Sequence, residues 1–546
     1  MFKPIKSKVE FPKLEEEMLD FWDQNKIFEK SVEEKSDENT YFFYDGPPFA
    51  TGLPHYGHLI ASTIKDVVPR YQTMLGKKIE RRFGWDCHGL PVEFEVEKEL
   101  GLRGSADIEA YGVANFNEKC RGIVLRYSNE WRSTIRRLGR WVDMDNDYKT
   151  MEVDFMESIW WVFKTLWEKG LIYEDRKIVA YSPRLSTPLS NFEVNLGYKD
   201  TQDPSVIIKF QVKDQPNTYL LAWTTTPWTL ISNLALAVHP KLDYVKVKVN
   251  DEVYYLAKAL IENVFGKDAS VEILEELIGE KLEGTRYEPL FPYFRELEEN
   301  GAFRVLTGDY VSIETGTGIV HTAPSFGEDD FNTGKKYNLP HVFPMDDSGN
   351  FTDEATAFSG LFFKDADKPI LKNLKERKLV LKHETIVHSY PFCWRSDVPL
   401  MYRTIRSWFL NVEKIKDQML KNNQEINWSP DHIKNGRMGK WLEGAREWAI
   451  SRNRYWGNPI PVWTCEECGY QYCVGSRKEL EELSGEVVDD LHSHFIDHLT
   501  FSCSKCQGKM NRTSEVLDCW FESGSMPYGQ QHYPFENQEK FDNNFP

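Results

Sequence analysis

Residues 41–58, YFFYDGPPFATGLPHYGH, restrict the fold more than any other stretch of the chain. Tyr41–Tyr44 is an unbroken aromatic run, which predicts a buried strand rather than a half-exposed one. Asp45-Gly46-Pro47-Pro48 then stops both strand and helix, and Gly52 and Pro54 keep the backbone irregular up to His55. Beyond it Ile60, Ile64, Val67, Tyr71 and Met74 recur at helical spacing. The order is strand, Gly/Pro loop and helix N-terminus, with His55 and His58 at the turn. Free N–H groups at such a terminus favour phosphate. Neither a P-loop nor a dinucleotide fingerprint is present. Two histidines at a helix start also fit a purely structural turn.

At 546 residues the chain has room for several domains, and 41% hydrophobic and 14% aromatic content calls for large cores. No apolar run approaches the roughly 20 residues of a membrane helix, and the N-terminus lacks a signal-peptide core. Nine cysteines, several in CxxC pairs, suggest metal in a reducing compartment, hence the cytoplasm. A net charge of −18 argues against a polyanionic partner but does not exclude local basic patches. The candidates are Lys77, Lys78, Arg81 and Arg82, and Arg132, Arg136, Arg137 and Arg140 around Trp131 and Trp141; each reads first as a solvated face.

Along the chain, residues 10–30 read as an amphipathic packing helix with Leu14, Met18, Phe21 and Trp22 on one side, and 31–40 as a polar connector. Pro69 predicts a kink or end near Val68. A strand over Lys78–Phe83 would leave Asp86 at a strand's C-terminal end, where α/β sheets bind ligands. Residues 115–180 are helix-rich, their tryptophans core material. From about 199 to 385 the pattern turns to strands: Val206–Val212, Tyr219–Trp223, Leu234–Val238 and Tyr244–Val249. Within it, Thr224-Thr225-Thr226 with Asn233, and His321 with Asp330, offer hydroxyls, an imidazole and an acid that could bind an ester and orient water. The run Trp448–Gly457 could be an amphipathic helix.

Cys465-x-x-Cys468 and Cys503-x-x-Cys506 are paired knuckles, a zinc-ribbon pattern over about 461–515. The 34 residues between them read as carrying an inserted helix at 476–495; Cys473, His492, His494 and His498 are outside candidates as ligands. Val516–Gly524 reads as a strand ending at the mouth of a sheet, with Trp520 as core.

The string His55-Tyr56-Gly57-His58 after Asp45-Gly46-Pro47-Pro48 resembles the His-Ile-Gly-His motif of class I aminoacyl-tRNA synthetases, and Gly84-Trp85-Asp86-Cys87-His88-Gly89 resembles their isoleucyl branch. The resemblance implies a Rossmann-like α/β catalytic domain split by a β-rich editing domain and carrying a zinc-ribbon insertion. It divides the chain at 1–198, 199–385 and 386–546, with Trp448–Gly457 as the return into the catalytic sheet. It also implies ATP with Mg²⁺, isoleucine and tRNA(Ile) as partners, structural zinc, and a monomer. Gly46, Pro47, Pro48, His55, Gly57 and His58 would bind ATP, with His55 and His58 catalytic by stabilising phosphate charge. Asp86 would hold the α-ammonium, and Pro47 and Trp520 the side chain. Thr224, Thr225, Thr226, Asn233 and His321 would line the editing pocket, with Asp330 on the amino group of a misattached valine. A second pocket is needed because an apolar site separates a one-methylene difference only about 10- to 200-fold, isoleucine against valine being the standard instance.

The chain departs from the family at a second cysteine cluster. Ser182, Leu185 and Ser396 stand where relatives have thiols, so no metal is expected there. No Lys-Met-Ser-Lys-Ser-like loop occurs, so the chain is expected to be the N-terminal part of a longer enzyme and not competent alone for activation. The alternatives are a valyl or leucyl relative, an editing-only hydrolase, or a non-catalytic tRNA-binding fragment.

Overall fold

The computed structural model describes residues 8–189 and 191–545. Two compact units compose it: the chain up to Glu174 together with that from Trp408 on, and Asp175–Ser407. Both mix helices with sheets, an α/β architecture. The middle unit is wider than residues 199–385. Strand Tyr198–Gln211 pairs antiparallel with Val380–Pro391, which keeps the flanking residues with it.

In the first unit the aromatic run is not a strand. Tyr41–Tyr44 is half-buried and without a ladder, tied only by bridges at Thr40–Lys78 and Phe49–Asp86. Pro47 and Pro48, between the bridges, have no N–H to give one. The neighbouring strand is Arg82–Trp85 rather than Lys78–Phe83, parallel to Asp143–Lys149. Gly84 is required there, since a Cβ would lie 1.9 Å from the Tyr148 ring.

Helix Tyr56–Met74 starts directly after His55 but does not end near Val68; it continues through Pro69. The Pro69 carbonyl takes hydrogen bonds from Thr73 Oγ1 (2.9 Å) and Arg81 (3.2 Å). The apolar positions Ile60, Ile64, Val67, Tyr71 and Met74 all point outward and are exposed. The helix is held from its other side, where Ser62 and Pro69 are buried and Arg70 reaches the Gly139 carbonyl at 2.7 Å.

The N-terminal helix is likewise rotated from expectation. It breaks at Lys26 (φ 49°) into Phe11–Asn25 and Ile27–Glu33, and Leu14, Met18 and Phe21 are exposed. Leu19 is buried, and Trp22 packs edge-on to Trp141 at 5.5 Å. On that packed side Glu15, Asp20 and Asp23 also pair with Arg136 and Arg137 of helix Val113–Leu138. Those pairs, with Arg132 on Asp145 and Lys78 on Asp37, neutralise much of the suspected basic surface. Arg81 and Arg140 are buried, so they are not part of a solvated face.

Trp448–Gly457 is not helical. Trp448–Ala449 and Ser451–Arg452 are short strands, the latter antiparallel to Val516–Leu517. After Leu517 the chain turns into helix Cys519–Gly524, capped by the Asp518 side chain. Strands Gln471–Cys473, Val462–Cys465, Lys509–Arg512 and Phe501–Ser502 form a four-stranded antiparallel sheet, in that order. The expected 476–495 helix is two helices, Arg477–Ser484 and Ser493–Ile496, because Gly485 (φ 77°) closes the first.

The Asp175–Ser407 unit is built on a nine-stranded sheet. Thr218–Thr224 lies at its centre, parallel to Glu252–Ala257 and bridged to Ile319–Thr322. Its core gathers Val206, Ile208, Leu220, Trp228, Leu236 and Phe363. No helix among the described residues is long and apolar enough to cross a membrane.

Candidate functional sites

Three segments of the first unit converge on Asp86. Its N–H donates to the Pro48 carbonyl (2.9 Å) and its carbonyl accepts from Ala50 N (3.1 Å), which zips the Gly/Pro loop to the end of strand Arg82–Trp85. On the other side, Gly89 N–H donates to the Trp456 carbonyl (3.0 Å), and Cys519 Sγ sits where a Cβ on Gly89 would have to go. Asp86 is buried, and its Oδ1 has no hydrogen-bond partner among the described residues; Ser523 and the His88 N–H favour its charged form. Burial first, then the neighbouring Glu522, pushes its pKa well up. An unpaired buried carboxylate oxygen calls for a proton of its own, a water or a donor from outside the chain.

The loop ahead of it is fixed by charge. Asp45 is buried against Arg140 and Lys65, and Lys65 also donates to the Gly46 carbonyl (2.9 Å). Trp131 Nε1 holds the Gly52 carbonyl at 2.7 Å. At the helix start both imidazoles act as caps: Gly57 N–H donates to His55 Nδ1 (3.1 Å) and His55 N–H to His58 Nδ1 (3.2 Å). The rings stack at 3.7 Å. With both Nδ1 atoms accepting, each neutral ring carries its proton on Nε2. Burial, then His55 and Lys65, lowers the pKa of His58. Trp520 is 37% exposed, its N–H on Asp518 Oδ1 at 3.1 Å.

A second cluster lies in the other unit. His321, on strand Ile319–Thr322, receives Asn233 Nδ2 at Nδ1 (3.2 Å) and has Thr229 Oγ1 at 2.8 Å from Nε2. Thr229 continues to Thr226 (3.2 Å) and Thr226 to Thr224 (3.3 Å). Tyr287 donates to Asn233 Oδ1 at 2.7 Å. Burial lowers the His321 pKa to about 4 and raises that of Asp330 to about 6, despite the Ala323 N–H bonded to Asp330 at 2.7 Å. Thr225 is half-buried just beyond the strand end. Thr229 and Tyr287 were not legible in sequence; Thr229 lies three residues past Thr226, but only the 3₁₀ turn Pro227–Ser232 brings it back.

The thiols of Cys465, Cys468, Cys503 and Cys506 all lie within 4.8 Å of one another, with Cys465–Cys506 at 3.4 Å and Cys468–Cys503 at 3.7 Å. A tetrahedral ion with metal–sulfur bonds of about 2.3 Å separates its sulfurs by about 3.8 Å, so the set fits a metal ion. The Cys468 N–H leads in lowering the Cys465 pKa to about 7. The outside candidates do not join it. Cys473 is buried with its Sγ toward the Val474 carbonyl, His492 is engaged by His88 and Asp490, His494 by Asn117, and His498 by Glu486.

A family model described as tRNA synthetases class I (I, L, M and V) matches residues 17–546. The chain is 57% identical to an isoleucine–tRNA ligase of Treponema denticola, over all of this chain and 53% of that protein. It is 54% identical to one from Bdellovibrio bacteriovorus, over all of this chain and 52% of that protein. It is 52% identical to the cytoplasmic isoleucine–tRNA ligase of Mus musculus, over all of this chain and 44% of that protein. The chain thus spans about half the length of the curated relatives it matches.

Proposed function

Because the chain belongs to the class I tRNA synthetases, we propose that its first unit binds isoleucine and ATP for isoleucyl-adenylate formation, as the Rossmann-like catalytic part of an isoleucine–tRNA ligase. The observation that carries this reading is Asp86 Oδ1, a buried acceptor without a donor, set where the Gly/Pro loop, the strand end and helix Cys519–Gly524 meet. An α-ammonium supplies the missing donors and the countercharge. Trp520 and Pro47 flank the side chain.

ATP, with its Mg²⁺, is the second substrate. Gly46, Pro47 and Pro48 shape the loop, Gly57 lets the chain pass close to the His55 ring, and the Nε2 protons of His55 and His58 point charge at the α-phosphate. The isoleucine carboxylate attacks the α-phosphorus and pyrophosphate leaves. The chain's own part is orientation and charge stabilisation, with no covalent intermediate on the protein.

The His321 cluster favours a second reaction in the Asp175–Ser407 unit, hydrolysis of valyl-tRNA. Its low pKa keeps the imidazole neutral, and Thr229 and Asn233 hold the ring in place. Thr224, Thr225 and Thr226 line the terminal adenosine, and Asp330 takes the amino group. The four thiols hold Zn²⁺ as a structural staple of a zinc ribbon.

Isoleucine titration by calorimetry tests the first reading. Asp86→Asn should weaken binding about 10- to 100-fold, the worth of a hydrogen bond to a charged group; an unchanged Kd overturns it. Valyl-tRNA deacylation that survives Asp330→Ala overturns the second.

A further inference from the structure

Beside Asp86 the chain buries a carboxyl and two imidazoles that the proposed reaction does not use. Glu522 is fully buried; its Oε1 accepts the Asn458 N–H at 3.3 Å, and its Oε2 lies 2.6 Å from His88 Nδ1. His88 Nε2 is 3.0 Å from His492 Nε2, and His492 Nδ1 meets Asp490 Oδ1. Arg121 holds Asp490 Oδ2 at 2.8 Å and also approaches His492 Nδ1 at 3.4 Å. Trp456 stacks on His492 at 4.5 Å and stands edge-on to His88 at 5.0 Å, fixing both rings.

A count of hydrogens gives the row a direction. Three close contacts need three hydrogens. Asp490 is paired with Arg121, so it is the carboxylate end and His492 Nδ1 carries a proton. The contact between the two Nε2 atoms holds one proton. With both rings neutral, that proton is on His88 Nε2, His88 Nδ1 is an acceptor, and Glu522 must be the donor: a protonated carboxyl. The other placements of the same three protons make one ring an imidazolium, with either Glu522 a carboxylate or His88 an imidazolate, all in a fully buried site. Burial opposes that separation of charge. Accordingly, burial first and Arg121 next lower the pKa of His88 to about 3, and burial lowers that of His492 to about 4. Burial first, with Asp518 behind it, raises that of Glu522 well up. The remaining charged groups around the row are paired: Asp518 with Arg452 (2.6 Å), and Glu118 with Arg121 (3.3 Å) and His494 (3.6 Å).

We propose that Glu522, His88, His492 and Asp490 form a one-way hydrogen-bond relay that holds Glu522 as a neutral donor and so leaves Asp86 as the one of these two neighbouring acids that ionises against the amino-acid ammonium. The four are positioning residues for Asp86, and this role rests on the amino-acid reading above. Burial already raises the Asp86 pKa, which the ammonium's positive charge offsets on binding; an ionised Glu522 would raise it further and hold the proton there against the ammonium. The relay also ties the segment between the two cysteine pairs, which supplies Asp490 and His492, to the pocket.

Nitrogen NMR of the full chain labelled with ¹⁵N-histidine tests the relay without any ligand. Coupling across the N–H···N bond identifies the pair. His88 should be the Nε2–H tautomer and His492 the Nδ1–H tautomer, both neutral and silent from pH 5.5 to 8.5. An imidazolium on either ring at pH 7, or the opposite tautomers, overturns the relay. Glu522→Gln presents an N–H to His88 and an oxygen to Asn458, so it should keep both tautomers and bind isoleucine within about twofold of the parent. A switch of His88 to Nδ1–H in that variant also overturns the relay. His492→Phe keeps the stack on Trp456 but frees His88 to donate to an ionised Glu522. The acid limb of isoleucine binding should then move up by one pH unit or more, and Glu522→Gln in the same chain should restore it. An unmoved limb overturns the positioning role. Absence of isoleucine binding by the parent, with the tautomers as stated, overturns the amino-acid reading and that role while upholding the relay.

Discussion

Glu93 and Arg454 form a buried ion pair that shapes the main chain entering the Asp86 site. One Glu93 oxygen takes the Arg454 guanidinium, and the other accepts the N–H groups of Tyr455 (2.9 Å) and Trp456 (2.6 Å). Glu97 takes another edge of the same guanidinium, and all three side chains are out of solvent. This clamp sets Trp456, which in turn bonds Gly89 through its carbonyl and the Cys87 carbonyl through Nε1 (2.7 Å).

The clamp predicts an order of damage. Removing one partner of a buried pair costs about 3–5 kcal/mol. Glu93→Gln leaves Glu97 on the arginine and keeps an oxygen for the two N–H groups, so it should fall at about 3 kcal/mol. Arg454→Met strands two buried carboxylates and should reach about 5 kcal/mol. Denaturant unfolding of the whole chain reads both; an Arg454→Met variant within about 1 kcal/mol of the parent refutes the clamp.

That pair also marks where sequence reading stops. The helix after His55, the middle strands and the cysteine knuckles are local patterns, and the expected strands of the middle unit overlap Tyr198–Gln211, Thr218–Thr224, Ala235–Val238 and Asp243–Val249. Arg454 and Glu93 are 361 residues apart, and His88 and Glu522 434, with nothing in spacing to join them. Periodicity also misleads about which side of a helix packs. The apolar positions of Tyr56–Met74 and Phe11–Asn25 predict inward faces, yet polar contacts, ion pairs and a few buried residues lie on the opposite sides. Asp86 was readable as a candidate site because its strand end is a general place for ligands; the row of buried groups behind it was not.

Metal content gives a direct measure of the four-thiol cluster. Elemental analysis should find about one zinc per chain. Chelation should add four reactive thiols and speed hydrogen exchange in strands Val462–Cys465 and Lys509–Arg512, because the knuckles lose their common anchor. Cys503→Ser should do the same without chelator. A chain purified with far less than one zinc, yet with these strands already protected, counts against a metal staple.

Asp330 should make the middle unit less stable as pH rises. Burial raises its folded pKa to about 6 from an ordinary 3.8, so between those values the folded state binds more protons than the unfolded one. The contribution is therefore full below about pH 4 and lost as pH climbs through 6, about 3 kcal/mol in all. Asp330→Asn keeps the shape and an acceptor for the Ala323 N–H but cannot ionise. It should match the parent near pH 4 and exceed it at pH 8, by up to that amount. His321, whose pKa falls to about 4, works in the opposite sense between 4 and 6.5, since there the unfolded state binds the extra proton. That term is common to both chains and cancels in their difference. Hydrogen exchange of strand Ile319–Thr322 in the whole chain reports it. A variant less stable than the parent at both pH values would mean that Asp330 is a structural cap whose charge is welcome in the fold.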